Sequence, residues 1–146
     1  MKDLLSAHKV IAIDSCVWIY HLENHPEYAA LTRQVLEAVE GGTCRAVSSE
    51  LTLLEILVRP LQMELLDVAD EYELLFSGFP NLSLEPISRD ILLQAATIRA
   101  RHGLRTPDAI VAATAIAAEA TLLVTNDRHF SQVPEIQIAC LSDYRA

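Results

Sequence analysis

A chain of 146 residues has the length of one domain, and at that size it buries roughly 70% of the surface its unfolded form exposes. Hydrophobic residues make up 51% of it but aromatic ones only 5%, so the core must be built mainly from Leu, Ile, Val and Ala, and no apolar run reaches the ~20 residues of a membrane span. The formal net charge of −9, with Lys2 and Lys9 as the only lysines, argues against a general nucleic-acid binder that neutralises phosphates with many cations, but not against an enzyme that holds a phosphodiester through metal ions.

Met1 to Lys9 lacks the apolar stretch and small-residue cleavage site of a signal peptide, so a soluble, cytoplasmic protein is expected. Val10 to Ile13 reads as a buried strand that stops at Asp14. Pro26 can open a helix through about Glu40, which Gly41 and Gly42 end. Arg45 to Ser48 is a second strand, and Leu51 to Val58 is a helix, apolar almost all round, with Pro60 closing it. Met63 to about Ser77 is another helix, broken by Gly78 and Pro80. Asn81 to Glu85 predicts a third strand. Ser88 caps a helix to about His102, with Gly103 as its stop. Thr106 as N-cap and Pro107 in the first turn start a helix through Glu119. Thr121 to Thr125 is a fourth strand and Gln137 to Leu141 a fifth.

Strands separated by helices imply right-handed crossovers and a mostly parallel central sheet of four to five strands, flanked by helices on both faces. One α/β domain spanning residues 1–146 is expected. Cys16, Cys44 and Cys140 are odd in number and lack C-x-x-C spacing, which predicts reduced, buried thiols rather than a disulfide framework or a zinc ribbon.

Ligands in such sheets bind outside the carboxyl ends of the strands. Asp14 ends the first strand and Asp127 follows the fourth by two residues. Each also has a plain structural use, Asp14 or Ser15 as a helix cap and Thr125-Asn126-Asp127 as a polar turn. Glu55 shares a helix face with Leu51, Leu54 and Val58, where a carboxylate is costly unless paired, protonated or bound to a cation; Arg59 is the available ion-pair partner. Asp108 sits in a first helical turn, where the helix dipole favours an acid. The following Ala109 to Ala118 carries no charge and only Thr114 as a polar side chain, so this helix is expected to be buried against the sheet. Four acids on four elements suit Mg²⁺ or Mn²⁺, which prefer oxygen ligands.

The segments I-A-I-D-S, L-T-L-L-E-I-L-V-R-P, L-R-T-P-D-A-I-V-A-A-T-A and L-L-V-T-N-D-R-H-F match, in order and spacing, those of the PIN domain family. The chain most closely resembles its VapC toxins, from Val10 to about Leu141. The resemblance implies a three-layer PIN-like fold and a metal-dependent endoribonuclease, with Asp14, Glu55, Asp108 and Asp127 holding one or two divalent ions. It implies that Ser15 supports the first acid, that Thr125 and Asn126 orient the fourth, and that an antitoxin protein restrains the enzyme. Two features depart from the family pattern: a nine-residue lead before the first strand, and an acidity that leaves RNA to find a local basic patch, with Arg99, Arg101, Arg105 and Arg128 as candidates.

Leu53, Leu57, Leu61 and Leu65 recur every four residues, a ridge that could receive an amphipathic antitoxin helix, pack inside the domain or join two copies in the expected homodimer. Other enzymes fit poorly. A haloacid-dehalogenase phosphatase needs a second Asp where Cys16 stands, a receiver domain needs a late lysine, and Gly41, Gly42, Gly78 and Gly103 form no phosphate or cofactor loop. His21 and His25 are four apart, but Leu22-Glu23-Asn24 between them is not the Glu-x-x order of a zinc protease, and Pro26 breaks any helix there. The rival from another class is a PIN-like module that binds RNA or protein without cutting, and a DNA-directed metal nuclease is a further alternative.

Overall fold

In the computed structural model, which describes residues 1–146, β1 (Val10–Ile13) lies at the centre of a five-stranded sheet. On one side stand β2 (Arg45–Ser49) and β3 (Leu82–Glu85); on the other, β4 (Leu122–Thr125) and β5 (Gln137–Cys140). Every pairing is parallel. Alternation along the strands divides the core in two. Ile11, Ile13, Ala46, Leu122 and Val124 face one hydrophobic cluster, while Ala12, Val47 and Leu123 face the other. The first cluster is covered by α1 (Lys2–Ser6), α2 (Ser15–Leu22), α3 (Ala29–Glu40), α4 (Leu51–Gln62) and α5 (Leu66–Ser77); the second by α6 (Arg89–His102) and α7 (Thr106–Ala117). This is the three-layer α/β architecture expected.

Residues Ala109 to Ala115 of α7 are all buried. Small side chains on this helix let its backbone approach the sheet closely, and Thr114 satisfies its buried hydroxyl by donating to the Ile110 carbonyl at 2.7 Å. Ser88 caps α6 by accepting from the Ile91 N–H, and Gly103 ends it at φ +70°, a backbone that favours glycine. All three cysteines are free; Cys44 and Cys140 are buried and Cys16 is half-buried.

Several boundaries differ from expectation. The lead folds into α1 and places Leu5 fully within the core. Helix α3 starts at Ala29 rather than Pro26; in the turn before it, His25 and Tyr28 pack their rings against Tyr20 of α2. Pro60 does not close α4 but lies buried inside it, two residues before its end; it removes one backbone bond of the helix. Glu64, at φ +57°, separates α4 from α5, so α5 begins at Leu66 instead of Met63. Thr106 is the first helical residue of α7 rather than its cap; Arg105 occupies the cap position, and Thr106 Oγ1 accepts a hydrogen bond from Arg99 at 2.7 Å.

The predicted leucine ridge divides. Leu53 and Leu57 pack against the core, whereas Leu61 and Leu65 are exposed beside Leu54, Val58 and Leu66. No helix is long and apolar enough to cross a membrane.

Candidate active site

The chain runs from β1 outward to β2 and β3, then returns to β4 on the opposite side of β1. A reversal of this kind opens a crevice at the carboxyl ends of the two strands where it occurs, here β1 and β4. Asp14 continues the ladder directly, its N–H donating to the Val124 carbonyl at 3.0 Å. One cleft is lined by Asp14, Glu55, Asp108 and Asp127, together with Ser15 and Arg105. The fold therefore gathers all four predicted acids, from the end of β1, the middle of α4, the first turn of α7 and the loop after β4.

Asp14 is the most enclosed of the four, only 9% exposed. Its Oδ1 accepts from the Ser15 N–H at 2.8 Å and caps α2, so the helix-cap role and the site role coexist. Its Oδ2 accepts from the Thr125 hydroxyl at 2.8 Å. No cation pairs with it. Burial pushes its pKa up to about 6, against the lowering effect of the Thr125 and Ser15 bonds, and the charges of Asp108 and Glu55 add to the rise.

Glu55 is half-buried and does not pair with Arg59, which is held by Glu23 at 3.1 Å. The core face of α4 is formed by Thr52, Ile56 and Pro60, whereas Leu54 and Val58 are exposed. Glu55 thus lies at the rim of the buried face rather than inside it. Its Oε1 accepts from the Ser15 hydroxyl at 2.9 Å, and Ser15 Oγ also meets Thr52 Oγ1 at 2.8 Å. Ser15 accordingly couples the backbone beside Asp14 to Glu55, a support of the first two acids together.

Asp108, with its side chain 13% exposed, accepts from Arg105 Nε at 3.3 Å. Asp127 accepts from both the backbone N–H and Nδ1 of His129, at 2.9 and 2.7 Å, and lies 4.0 Å from the Arg105 guanidinium. Burial acts to raise its pKa. The two His129 bonds and the charges of His129 and Arg105 outweigh that, and its carboxyl sits below the usual range.

Thr125 joins the first and fourth acids: its hydroxyl donates to Asp14 and accepts from the Asp127 N–H at 3.0 Å. Asn126 has a different use from the one expected. Its amide makes no hydrogen bond to Asp127; it donates to Tyr20 Oη at 3.3 Å and accepts from the Ser142 N–H at 3.0 Å. It fastens the β4 end to α2 and to the turn after β5. Of the four candidate arginines only Arg105 lines the cleft. Arg99 is tied to Thr106, Arg128 to Ser142 and Asp143, and Arg101 is exposed in the last turn of α6.

Two participants escaped the sequence reading. Thr52, fully buried one turn before Glu55, could have been found from that spacing on the helix. His129 follows Asp127 by two residues, the offset of an Asx-type turn. Cys16 is also near, its Sγ 3.6 Å from Asp14 Oδ2, but burial and the Asp14 charge push its thiol far up, so it is not a nucleophile.

The PIN domain model matches residues 11–136. This chain belongs to the PIN domain family. The match spans β1 through the loop preceding β5, and hence all four acids of the cleft. The PIN domain is 34% identical over 127 residues to Ribonuclease VapC19 of Mycobacterium tuberculosis, an alignment that covers 86% of this chain and 95% of that protein. Its fold resembles that of VapBC2 from Rickettsia felis, solved bound to a promoter DNA fragment, with a TM-score of 0.72 at 18% identity, covering 90% of this chain and 98% of that one. A toxin–antitoxin complex from Klebsiella pneumoniae is similar with a TM-score of 0.70 at 22% identity, covering 90% of this chain and 97% of that one.

The donor chemistry of this PIN cleft suits a hard divalent cation: carboxylate oxygens, one of them buried without a positive partner. The side chains do not close on a metal-sized centre in this structure, where no three His, Cys, Asp or Glu groups converge. Arg105 lies between Asp108 and Asp127, 3.3 Å from the one and 4.0 Å from the other.

Proposed function

We propose that this PIN domain is a divalent-metal-dependent endoribonuclease that hydrolyses RNA phosphodiester bonds, acting in the cytoplasm as the toxin of a VapBC-type pair. The observation that carries this reading is the meeting of four carboxylates, from four separate elements, in one open cleft at the point where the strand order reverses. The ribonuclease name of the 34%-identical relative supports it.

Asp14, Glu55, Asp108 and Asp127 would hold Mg²⁺ or Mn²⁺. Such an ion, when bound, makes water more acidic and neutralises charge building on phosphate oxygens. The remaining residues prepare the acids. Thr125 fixes Asp14 Oδ2 and the Asp127 backbone; Ser15, backed by Thr52, aims Glu55 Oε1; His129 keeps Asp127 ionised. With its pKa near 6, Asp14 is mostly ionised at neutral pH and surrenders its remaining proton readily to a competing cation.

The exposed apolar side chains Leu54, Val58, Leu61, Leu65 and Leu66 offer docking for an amphipathic partner helix. The partner proposed there is an antitoxin, by analogy with the VapBC assemblies whose fold this chain resembles.

The test is cleavage of a single-stranded oligoribonucleotide with Mn²⁺ or Mg²⁺. Asp14→Asn, Asp108→Asn and Asp127→Asn should each abolish it while the circular dichroism spectrum stays that of the parent, and excess EDTA should stop the parent. Full cleavage in EDTA, or by those variants, refutes the mechanism; RNA binding without cleavage by the metal-loaded parent points to a silent PIN module.

A further inference from the structure

We propose that Arg105 is an exchangeable counter-cation of the acid cleft: it bridges Asp108 and Asp127 in the metal-free protein, yields both acids when a divalent ion enters, and then holds the RNA phosphate. The proposal rests on the proposed metal site for its exchange half and on the nuclease reading for its phosphate half.

Arg105 occupies the extended cap position directly before α7, with φ −66° and ψ 156°. That backbone sends its side chain back over the first turn, where Nε meets Asp108 Oδ2 at 3.3 Å and the guanidinium reaches to 4.0 Å from Asp127 Oδ2. Of the twelve residues lining the cleft it is the only cation, facing four carboxylates.

Its side chain is 78% exposed and makes no hydrogen bond apart from the one to Asp108. The neighbouring arginines differ. Arg99 is anchored on Thr106, and Arg128 is held by Ser142 and Asp143. Arg105 is therefore held by the acids and by nothing else, and it moves freely once they turn to another partner.

An exposed ion pair shifts an equilibrium by no more than about fivefold. Arg105 can thus occupy the acids without locking them, and two such contacts set a barrier of about three- to tenfold in affinity against an entering ion. A released guanidinium presents a planar fork of donors that matches two phosphate oxygens. The same side chain then lies beside the phosphodiester that the acids face, in a cleft whose net charge would otherwise repel it.

The decisive measurement is calorimetric titration of Mn²⁺ into the metal-free protein with no RNA present. Arg105→Gln should bind Mn²⁺ about three- to tenfold more tightly than the parent. Arg105→Lys, which keeps the charge, should fall between the two. Arg128→Gln, which removes an equal charge next to Asp127 but one committed to Asp143, should stay within about twofold of the parent. In a second arm, anisotropy of a labelled single-stranded oligoribonucleotide with saturating Ca²⁺ should show Arg105→Gln binding about fivefold more weakly.

Equal or weaker Mn²⁺ binding by Arg105→Gln overturns the exchange, as does an equal tightening in Arg128→Gln, which would mean general charge repulsion. Unchanged RNA affinity overturns the hand-over to phosphate. The Mn²⁺ pattern in a parent that cuts no RNA would support the exchange while refuting the nuclease reading.

Discussion

Replacing Asp14 with Asn should stabilise the metal-free protein at neutral pH and destabilise it in acid. The folded-state pKa of Asp14, about 6, lies above the ordinary value of 3.8, so folding favours its protonated form. The resulting destabilisation is absent below about pH 4, grows as pH rises and is complete above about pH 6. Moving this carboxyl from 3.8 to about 6 corresponds to about 3 kcal/mol. Against this stands the bond from the Thr125 hydroxyl to Oδ2, whose disruption by an amide nitrogen costs about 1 kcal/mol. Asp14→Asn should therefore be about 2 kcal/mol more stable than the parent at about pH 7.5 and about 1 kcal/mol less stable at about pH 4. For a chain of this size the neutral-pH gain is about 4–8 °C in Tm. Urea denaturation in excess EDTA across this pH range measures it. A difference between the two proteins that does not change with pH would show that Asp14 is not strained by burial and neighbouring charge.

Three further outcomes follow from the same cleft. Mn²⁺ should raise the Tm of the parent, by the equivalent of ~2.7 kcal/mol at 100 times its dissociation constant, and the rise should shrink in Asp14→Asn; equal rises would place the ions elsewhere. Ser15→Ala removes the hydroxyl that aims Glu55 and contacts buried Thr52, and should cost about 1–2 kcal/mol and lower kcat with little change in KM; an unchanged kcat would show that Glu55 needs no such support. Expressed alone, the parent should slow bacterial growth, Asp14→Asn should not, and the product of a neighbouring antitoxin gene should restore growth; a parent harmless at high expression argues against the toxin role and leaves the fold untouched.

Much of this molecule is legible in local sequence. Short runs between helical patterns place all five strands to within a residue or so at either end, and the central β1 and β4 stand out most clearly, because parallel strands buried on both faces must be apolar along their length. Ser88 and Gly103 bound α6 as local capping chemistry requires. The charge-free Ala109 to Ala118 announced a buried α7, and the strand-end placement of Asp14 and Asp127 pointed to the site. What only the tertiary structure decided concerns orientation and distance. Helix α4 is apolar almost all round, so periodicity could not choose its buried face; packing against the sheet chose Thr52, Ile56 and Pro60 and left Leu54 and Val58 outside. Leu5 joins the core although nothing in the nine-residue lead marks it. Asn126 could serve either Asp127 or its neighbours, and the positions of Tyr20 and Ser142 settled which. The approach of Arg105 to Asp127 spans the chain between α7 and the end of β4, with Asp14 from β1 beside them. Periodicity and capping act over a few residues, but the strand order β3-β2-β1-β4-β5 is set by which buried surfaces pack together, and that order is what brings the four acids to one edge.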